Sequence, residues 1–289
     1  MTLRRISRWR MAVLAAFLAA HVDAQDTPAP ASPPAEDQQK ILNAMRTYAE
    51  RYVSELPNFI CDQVVRQFEA GKKSKRWREG DSLQYKLSFN GGRDTRTLQI
   101  VNNKPIDGAK RRWRAPLITQ GEFGNKFARV FGEESQTAFE WAGWQAIGDK
   151  RLAAFNYSIT KEHSALKLSK DYYTAVLGYH GSVYAEPESG VVWKITDTTS
   201  EIPKELETEE IQNTVEYDRI AVGSKAYMLP VRATALVILE NQRIRNELEF
   251  KAYRKFETES TITFGGSEGG EGDTVQKPAP ASQPPQKKP

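Results

Sequence analysis

Only one cysteine, Cys61, occurs in the 289 residues, so no intrachain disulfide can form and the fold has to rest on its own core. Histidine is nearly as scarce, with three in all. His163 and His180 stand far from each other in sequence, with no cysteine pair or acidic triplet beside them, which leaves little to hold a transition metal. No spacing resembles a calcium-binding helix–loop–helix, and no glycine-rich loop follows a strand and opens a helix, as a nucleotide site requires. Metal: none and cofactor: none are therefore the expectations. A cysteine nucleophile needs a base that lowers the thiol pKa and a third group to orient that base. Neither has a local signature around Cys61, whose Phe-Ile-Cys setting suits a small buried hydrophobe. One-sided charge is also missing. Lys and Arg total 41 against 37 Asp and Glu, a net of +4, where a nucleic-acid-binding domain is normally basic.

Long apolar runs are absent too. The longest, Met11–Ala20, is too short to span a bilayer, which takes about 20 helical residues. Preceded by Arg4, Arg5, Arg8 and Arg10 and followed by Val22-Asp23-Ala24, it reads as a secretory signal peptide over residues 1–24, cleaved before Gln25. The expected location is the periplasm or the extracellular space. No cysteine near the cleavage point offers a lipid attachment site. Removing the segment leaves a net charge of about +1 by the same count.

Residues 25–36 are rich in Pro, Ala and Ser, and residues 265–289 in Gly, Pro, Gln and charge. Both lack the large apolar side chains that would offset the entropy of ordering. Between them, residues 37–264 are expected to form one domain. Ile41, Leu42, Met45, Ala49, Tyr52, Val53 and Leu56 recur at helical spacing up to Pro57-Asn58, which predicts an amphipathic helix lying on the rest of the fold.

From Phe59 the period falls to two. Leu83, Tyr85, Leu87 and Phe89 alternate with polar residues, as do Phe155, Tyr157 and Ile159. Val191, Trp193 and Ile195 form another such set, and Leu248, Phe250, Ala252 and Phe256 a further one. More strands are predicted at 98–101, 138–147, 173–179, 214–222, 231–239 and 260–264, and one short further helix at 122–131. Links such as Gly148-Asp149-Lys150 and Gly223-Ser224-Lys225 are too short for parallel crossovers. The expected class is α+β, mostly β: a large antiparallel meander of about ten strands with both helices packed on it.

The stretch Gly178-Tyr179-His180-Gly181-Ser182-Val183-Tyr184-Ala185-Glu186-Pro187-Glu188-Ser189-Gly190-Val191-Val192-Trp193-Lys194-Ile195 reads as strand, Pro-x-x-Gly turn, strand. Together with the order of signal peptide, leading helix and hairpin meander, it resembles the LolA/LolB-type half-barrels that carry lipoproteins or lipids across cell envelopes. The resemblance spans most of residues 36–264 and transfers no catalytic or binding residue. The LolB-type receptors carry a lipid-anchored cysteine that this chain lacks. A half-barrel fold and a lipid or lipoprotein ligand are what the resemblance implies.

Two sets of candidate site residues follow. Phe155, Tyr157, Tyr173, Tyr179, Trp193 and Phe250 sit within predicted strands and would line a ligand groove if the concave face is left partly uncovered; filled, they are ordinary core. Lys75, Arg76, Trp77 and Arg78 in one connection, and Arg111, Arg112, Trp113 and Arg114 in another, mix tryptophan with basic charge. If the two loops share a rim, they would meet an anionic membrane surface or an acidic partner; otherwise they are solvated loops whose tryptophans plug the core locally.

The formal Gly265-Gly266-Ser267-Glu268-Gly269 match to a nucleophile elbow lacks the strand and helix that motif needs. Asn156-Tyr157-Ser158 is a formal glycosylation sequon inside a strand. The function expected is a non-catalytic, monomeric envelope protein that binds or carries a lipid or another apolar ligand. The alternative is an interaction module working through its basic Trp loops.

Deleting residues 265–289 removes no alternating strand face. Cooperative unfolding should be unchanged by that truncation, and limited proteolysis with mass analysis should trim the same segment from the intact chain before it cuts the core.

Overall fold

The computed structural model describes residues 31–106, 122–199 and 201–256. The expected signal peptide and tail, the strand expected at 260–264 and the basic cluster containing Arg111, Arg112, Trp113 and Arg114 lie outside the described residues. The leading helix, α1 (Ala35–Glu55), opens just after Pro33-Pro34 and carries Glu36 and Asp37 in its first turn, where carboxylates complement the helix dipole. Ile41, Leu42, Met45, Ala49 and Tyr52 are buried along its predicted stripe.

The chain continues as β1 (Phe59–Gly71), β2 (Arg78–Asn90), β3 (Arg93–Val101) and β4 (Lys104–Pro105). The short helix α2 (Asn125–Phe131) comes next, then β5 (Ala138–Ile147), β6 (Lys150–Ile159), β7 (Lys167–Lys170), β8 (Tyr173–Val176) and β9 (Tyr179–Ala185). β10 (Val192–Thr199), β11 (Thr208–Val222), β12 (Lys225–Leu239) and β13 (Gln242–Lys255) complete the domain.

Eleven strands form one open antiparallel sheet in the order β4-β3-β2-β1-β13-β12-β11-β10-β9-β6-β5, and β7 and β8 pair apart from it as a hairpin. The expected α+β, mostly β class holds. Two meanders are stitched together by β1 and β13, which pair from Phe59↔Lys255 to Gly71↔Gln242. The outermost strands among the described residues are both interrupted. β5 bulges between Trp141 and Gly143, and β4 is two residues long and ends in Pro105, which has no N–H to offer a neighbour.

Among the departures from strict alternation, three change the placement of residues read from the sequence. A bulge between Ile60 and Asp62 of the β1–β13 ladder coincides with Ala252 at φ 55°, and it swings Tyr253 inward to donate to the Pro230 carbonyl at 2.6 Å. A second bulge, between Val192 and Lys194, puts Val192 rather than Val191 in the core with Ile195. The strand expected over 173–179 is two pieces, because β8 ends at Val176 in the separate hairpin and β9 begins at Tyr179.

Both helices lie on one face of the sheet. Tyr52 of α1 stacks on Phe127 of α2 with ring centroids 4.1 Å apart. At the β9–β10 turn, Gly190 has φ 69°, and a Cβ there would come within 2.2 Å of the Ala44 carbonyl carbon. The helix backbone therefore rests on the turn itself, which only glycine permits.

Ion pairs show how strongly the sheet curls. Glu122, just before α2, pairs with Arg96 of β3 at 2.7 Å, and Lys126 of α2 pairs with Asp197 of β10 at 3.0 Å. β3 and β10 are six strand intervals apart in the sheet, about 29 Å if it were flat. Glu122 and Lys126 are only four residues apart in the chain, so the sheet must wrap around α2 for both pairs to form. This is the half-barrel-like geometry.

The Lys126 and Asp197 side chains are only 7% and 12% exposed. Lys126→Met, which strands a buried carboxylate, should destabilise the fold by about 3–5 kcal/mol. Lys126→Met combined with Asp197→Leu should lose markedly less. Urea unfolding of the three proteins checks both outcomes.

Candidate functional site: the concave face and its end cleft

Side chains directly opposite one another in an antiparallel sheet share a face, so the registers give the make-up of the concave face row by row. Ile195, Val215, Ala233, Leu248, Val65 and Leu83 form one continuous row across β10, β11, β12, β13, β1 and β2. All six belong to the main core beneath the helices. Two residues along, the row is Asp197, Asn213, Ala235, Asn246 and Gln67, polar except for one alanine. It holds the Lys126–Asp197 pair and a Gln67 Nε2 donation to Asn246 Oδ1 at 3.3 Å.

Two further along, Thr199, Ile211, Val237, Ile244 and Glu69 are again mainly apolar. Ile211 and Val237 are buried, yet they stand outside the main core cluster. A polar belt thus divides two apolar zones on one concave face.

The second zone leads to a cleft of about 880 Å³ at the strand ends. Leu168 of β7, Leu206, and Leu239 of β12 give it apolar walls, and Glu69 belongs both to the third row and to the cleft. Arg76, Arg78 and Lys170 also line it, with Glu69, Glu207 and Glu240. Arg78 pairs with Glu69 at 2.7 Å and Lys170 pairs with Glu207, so the charged lining is balanced. On the other side of the β7–β8 hairpin is a recess of about 660 Å³ lined by Tyr173, Ala175, Val176 and Tyr179 among others. The hairpin is therefore a partition between two hollows. Its tip bears Tyr172, 105% exposed, next to Tyr173 at 41%, and Val176 at its base is also 41% exposed.

The sequence-predicted aromatics do not come together as an open groove. Phe155, Tyr157, Tyr179 and Phe250 are all buried in the main core, because α1 and α2 cover the zone they face. Tyr157 spans β9 above Gly181, its cross-strand neighbour, to donate to the Thr196 carbonyl at 2.9 Å. A Cβ on Gly181 would meet Thr196 O at 1.9 Å. Burial pushes the Tyr157 and Tyr179 hydroxyls above their usual pKa, so both remain protonated donors.

Trp193 sits at the bulge, half-buried. It donates to Glu186 at 3.0 Å and has Lys150 Nζ 4.5 Å from its ring centroid. Tyr173 alone of the six is exposed, on the hairpin.

Trp77 does not project with its basic neighbours. It folds onto the convex face between Arg243 and Arg245, whose guanidinium carbons lie 4.9 and 4.6 Å from its ring centroid. Lys75 and Arg76 remain on an exposed turn held by Ser74. Cys61 is buried, and burial pushes its thiol up to about 12, the opposite of an activated nucleophile. His180 is on β9, five strand intervals from β1. Among the described residues, no group of His, Cys, Asp and Glu could hold a metal ion.

No family model matches the sequence, and no curated protein matches it. Among solved structures, the chain is similar to a domain from Vibrio parahaemolyticus described as an outer-membrane lipoprotein-sorting protein. That likeness has 11% identity and a TM-score of 0.38, covering 80% of this chain and 95% of that one. It is also similar to a DUF1329 family protein from Desulfovibrio piger, with 7% identity and a TM-score of 0.38, covering 74% and 92%. At those scores neither likeness bears on function.

With its ring held by two guanidinium groups, Trp77 is a structural residue of the convex face. Trp77→Ala should cost about 1–2 kcal/mol in chemical denaturation, whereas a solvated tryptophan would leave stability within about 0.5 kcal/mol.

Proposed function

We propose that this protein is a non-catalytic, exported component of the cell envelope that binds or carries a lipid or another apolar ligand in the concave side of its half-barrel. The observation that carries the reading is the end cleft. Its volume of about 880 Å³ lies within the range of small-molecule sites. Its lining combines Leu168, Leu206 and Leu239 with charged side chains of both signs, among them Glu69, Arg76, Arg78 and Lys170.

That distribution suits an amphiphile whose apolar part is sheltered while its polar end stays near water. The apolar row Ile211, Val237 and Ile244 continues inward from the cleft, so shelter extends beyond the hollow itself. The export part of the proposal rests on the N-terminal signal-like segment. The carrier part rests on the cleft.

Native mass spectrometry of protein purified from an envelope extract tests the reading. The expected result is a lipid-sized adduct released by collisional activation. Leu239→Trp, which fills the cleft from a half-buried wall position, should remove the adduct while leaving the thermal midpoint within a few degrees of wild type. An adduct-free wild type, or an adduct that Leu239→Trp leaves untouched, overturns it.

A further inference from the structure

The turn between β1 and β2, residues 71–78, holds Lys72, Lys73, Lys75, Arg76 and Arg78 and no carboxylate. Two of these cations are neutralised from outside the turn, Lys72 by Glu209 and Arg78 by Glu69. Lys73, Lys75 and Arg76 are exposed, and none of the three forms an ion pair among the described residues.

A charge run is ordinarily a solvated loop, but this one is fastened. The Ser74 amide donates to the Gly71 carbonyl at 2.9 Å and the Lys72 amide to the Asn241 carbonyl at 3.0 Å. Arg243 donates through Nη2 to the Ser74 carbonyl, and Trp77, clasped by Arg243 and Arg245, pins the far end of the turn. The backbone that carries the three unpaired cations is therefore held in place, and little backbone ordering is left for binding to impose.

The β7–β8 hairpin stands across the cleft. Leu168, Ser169 and Lys170 of the hairpin line the same hollow as Gly71, Arg76 and Arg78, so the two turns flank one opening. The exposed large apolar side chains among the described residues, Tyr172, Tyr173 and Val176, are all on this hairpin. A tyrosine combines an apolar ring with a polar hydroxyl, which suits the headgroup layer of a bilayer. Asp171 is the hairpin's one carboxylate and is set against Lys167, while Lys170 is taken by Glu207.

We propose that this end of the half-barrel is a docking surface for an anionic phospholipid bilayer. Lys73, Lys75 and Arg76 meet lipid phosphates on one side of the cleft, and Tyr172 enters the headgroup layer on the other. The surface lies outside the cleft and stands whatever the cleft holds. An acidic protein would engage the cations alone, whereas a bilayer engages the cations and the tyrosine together. The opposite end of the sheet supplies the contrast. Arg93 in the β2–β3 turn and Lys225 in the β11–β12 turn are exposed cations as well, but the exposed large apolar side chains of the described residues are not there.

Flotation with phosphatidylcholine vesicles, with and without phosphatidylglycerol, tests the proposal. The protein is the chain from Gln25 onward, so that the apolar run of residues 11–20 cannot itself insert. Each Lys or Arg near an anionic surface contributes about fivefold, so phosphatidylglycerol should raise binding about a hundredfold. High salt should remove most of that gain. Lys73→Gln, Lys75→Gln and Arg76→Gln combined should cancel it. Tyr172→Ser should weaken binding to the anionic vesicles about fivefold through the ring area left in water. Arg93→Gln with Lys225→Gln, many screening lengths away, should change binding by less than about twofold. All these positions are exposed, and the variants should melt with wild type. Binding that ignores phosphatidylglycerol overturns the proposal. So does a loss from the far-end pair equal to that of the triple variant, which means diffuse charge attraction only, or a Tyr172→Ser protein that binds like wild type. Capture by immobilised polyglutamate without vesicle binding assigns the surface to an acidic protein and overturns it too.

Discussion

The pairing of β1 with β13 is the constraint on which the rest of the molecule depends. It brings together strands from the two ends of the domain and places them inside the sheet, with β2, β3 and β4 on one side and six strands on the other. Nothing local favours this contact. Its loop-closure entropy must be met by the ladder and by the inward side chains that the ladder aligns, Val65 against Leu248 and Gln63 against Phe250. Without it each meander would present an unpaired edge, and the rows that define the concave face would end at β1 on one side and β13 on the other.

The helices depend on that continuous face. α2 is too short to be stable alone, and it is held because Arg96 and Asp197, on opposite arms of the curled sheet, take charges from the same few residues. Buried ion pairs are poor sources of net stability but strong specifiers of geometry, since a broken one leaves a bare charge in the interior. Here they fix where the cover sits. Tyr52 stacked on Phe127 then joins α1 to α2, and Gly190 lets α1 settle onto the sheet. The aromatic zone is sealed as a result, and open space is displaced to the far end, beyond the belt of Asp197, Asn213, Asn246 and Gln67.

Much of this fold was legible in the sequence because hydrophobic period is a local property. The α1 stripe, the two-residue alternation of β2 and β6, and the span of β5 could all be read directly. What escaped was non-local. No window of sequence reveals that β1 meets β13, or that Arg243 and Arg245 will clasp Trp77 from across the chain. The bulges at Ala252 and Val192 reverse side-chain parity with no glycine or proline at the bulged positions, so alternation alone does not place Trp193. Alternation correctly put Phe155, Tyr157 and Phe250 on one face of the sheet; it could not say that α1 and α2 would close over them.

The two interrupted margins of the sheet have a consequence for colloidal behaviour. An open sheet of eleven strands is a template for its own polymerisation, because each margin could recruit another copy through a free hydrogen-bond ladder. On one margin β4 covers only Ile100 and Val101 of β3 and carries Pro105, which has no N–H to offer; on the other the strand is kinked at Gly143, whose φ of 110° twists it out of register with any straight partner. An open half-barrel has no closed ladder to protect it from fibre growth. Broken edges give it that protection while the concave side stays open.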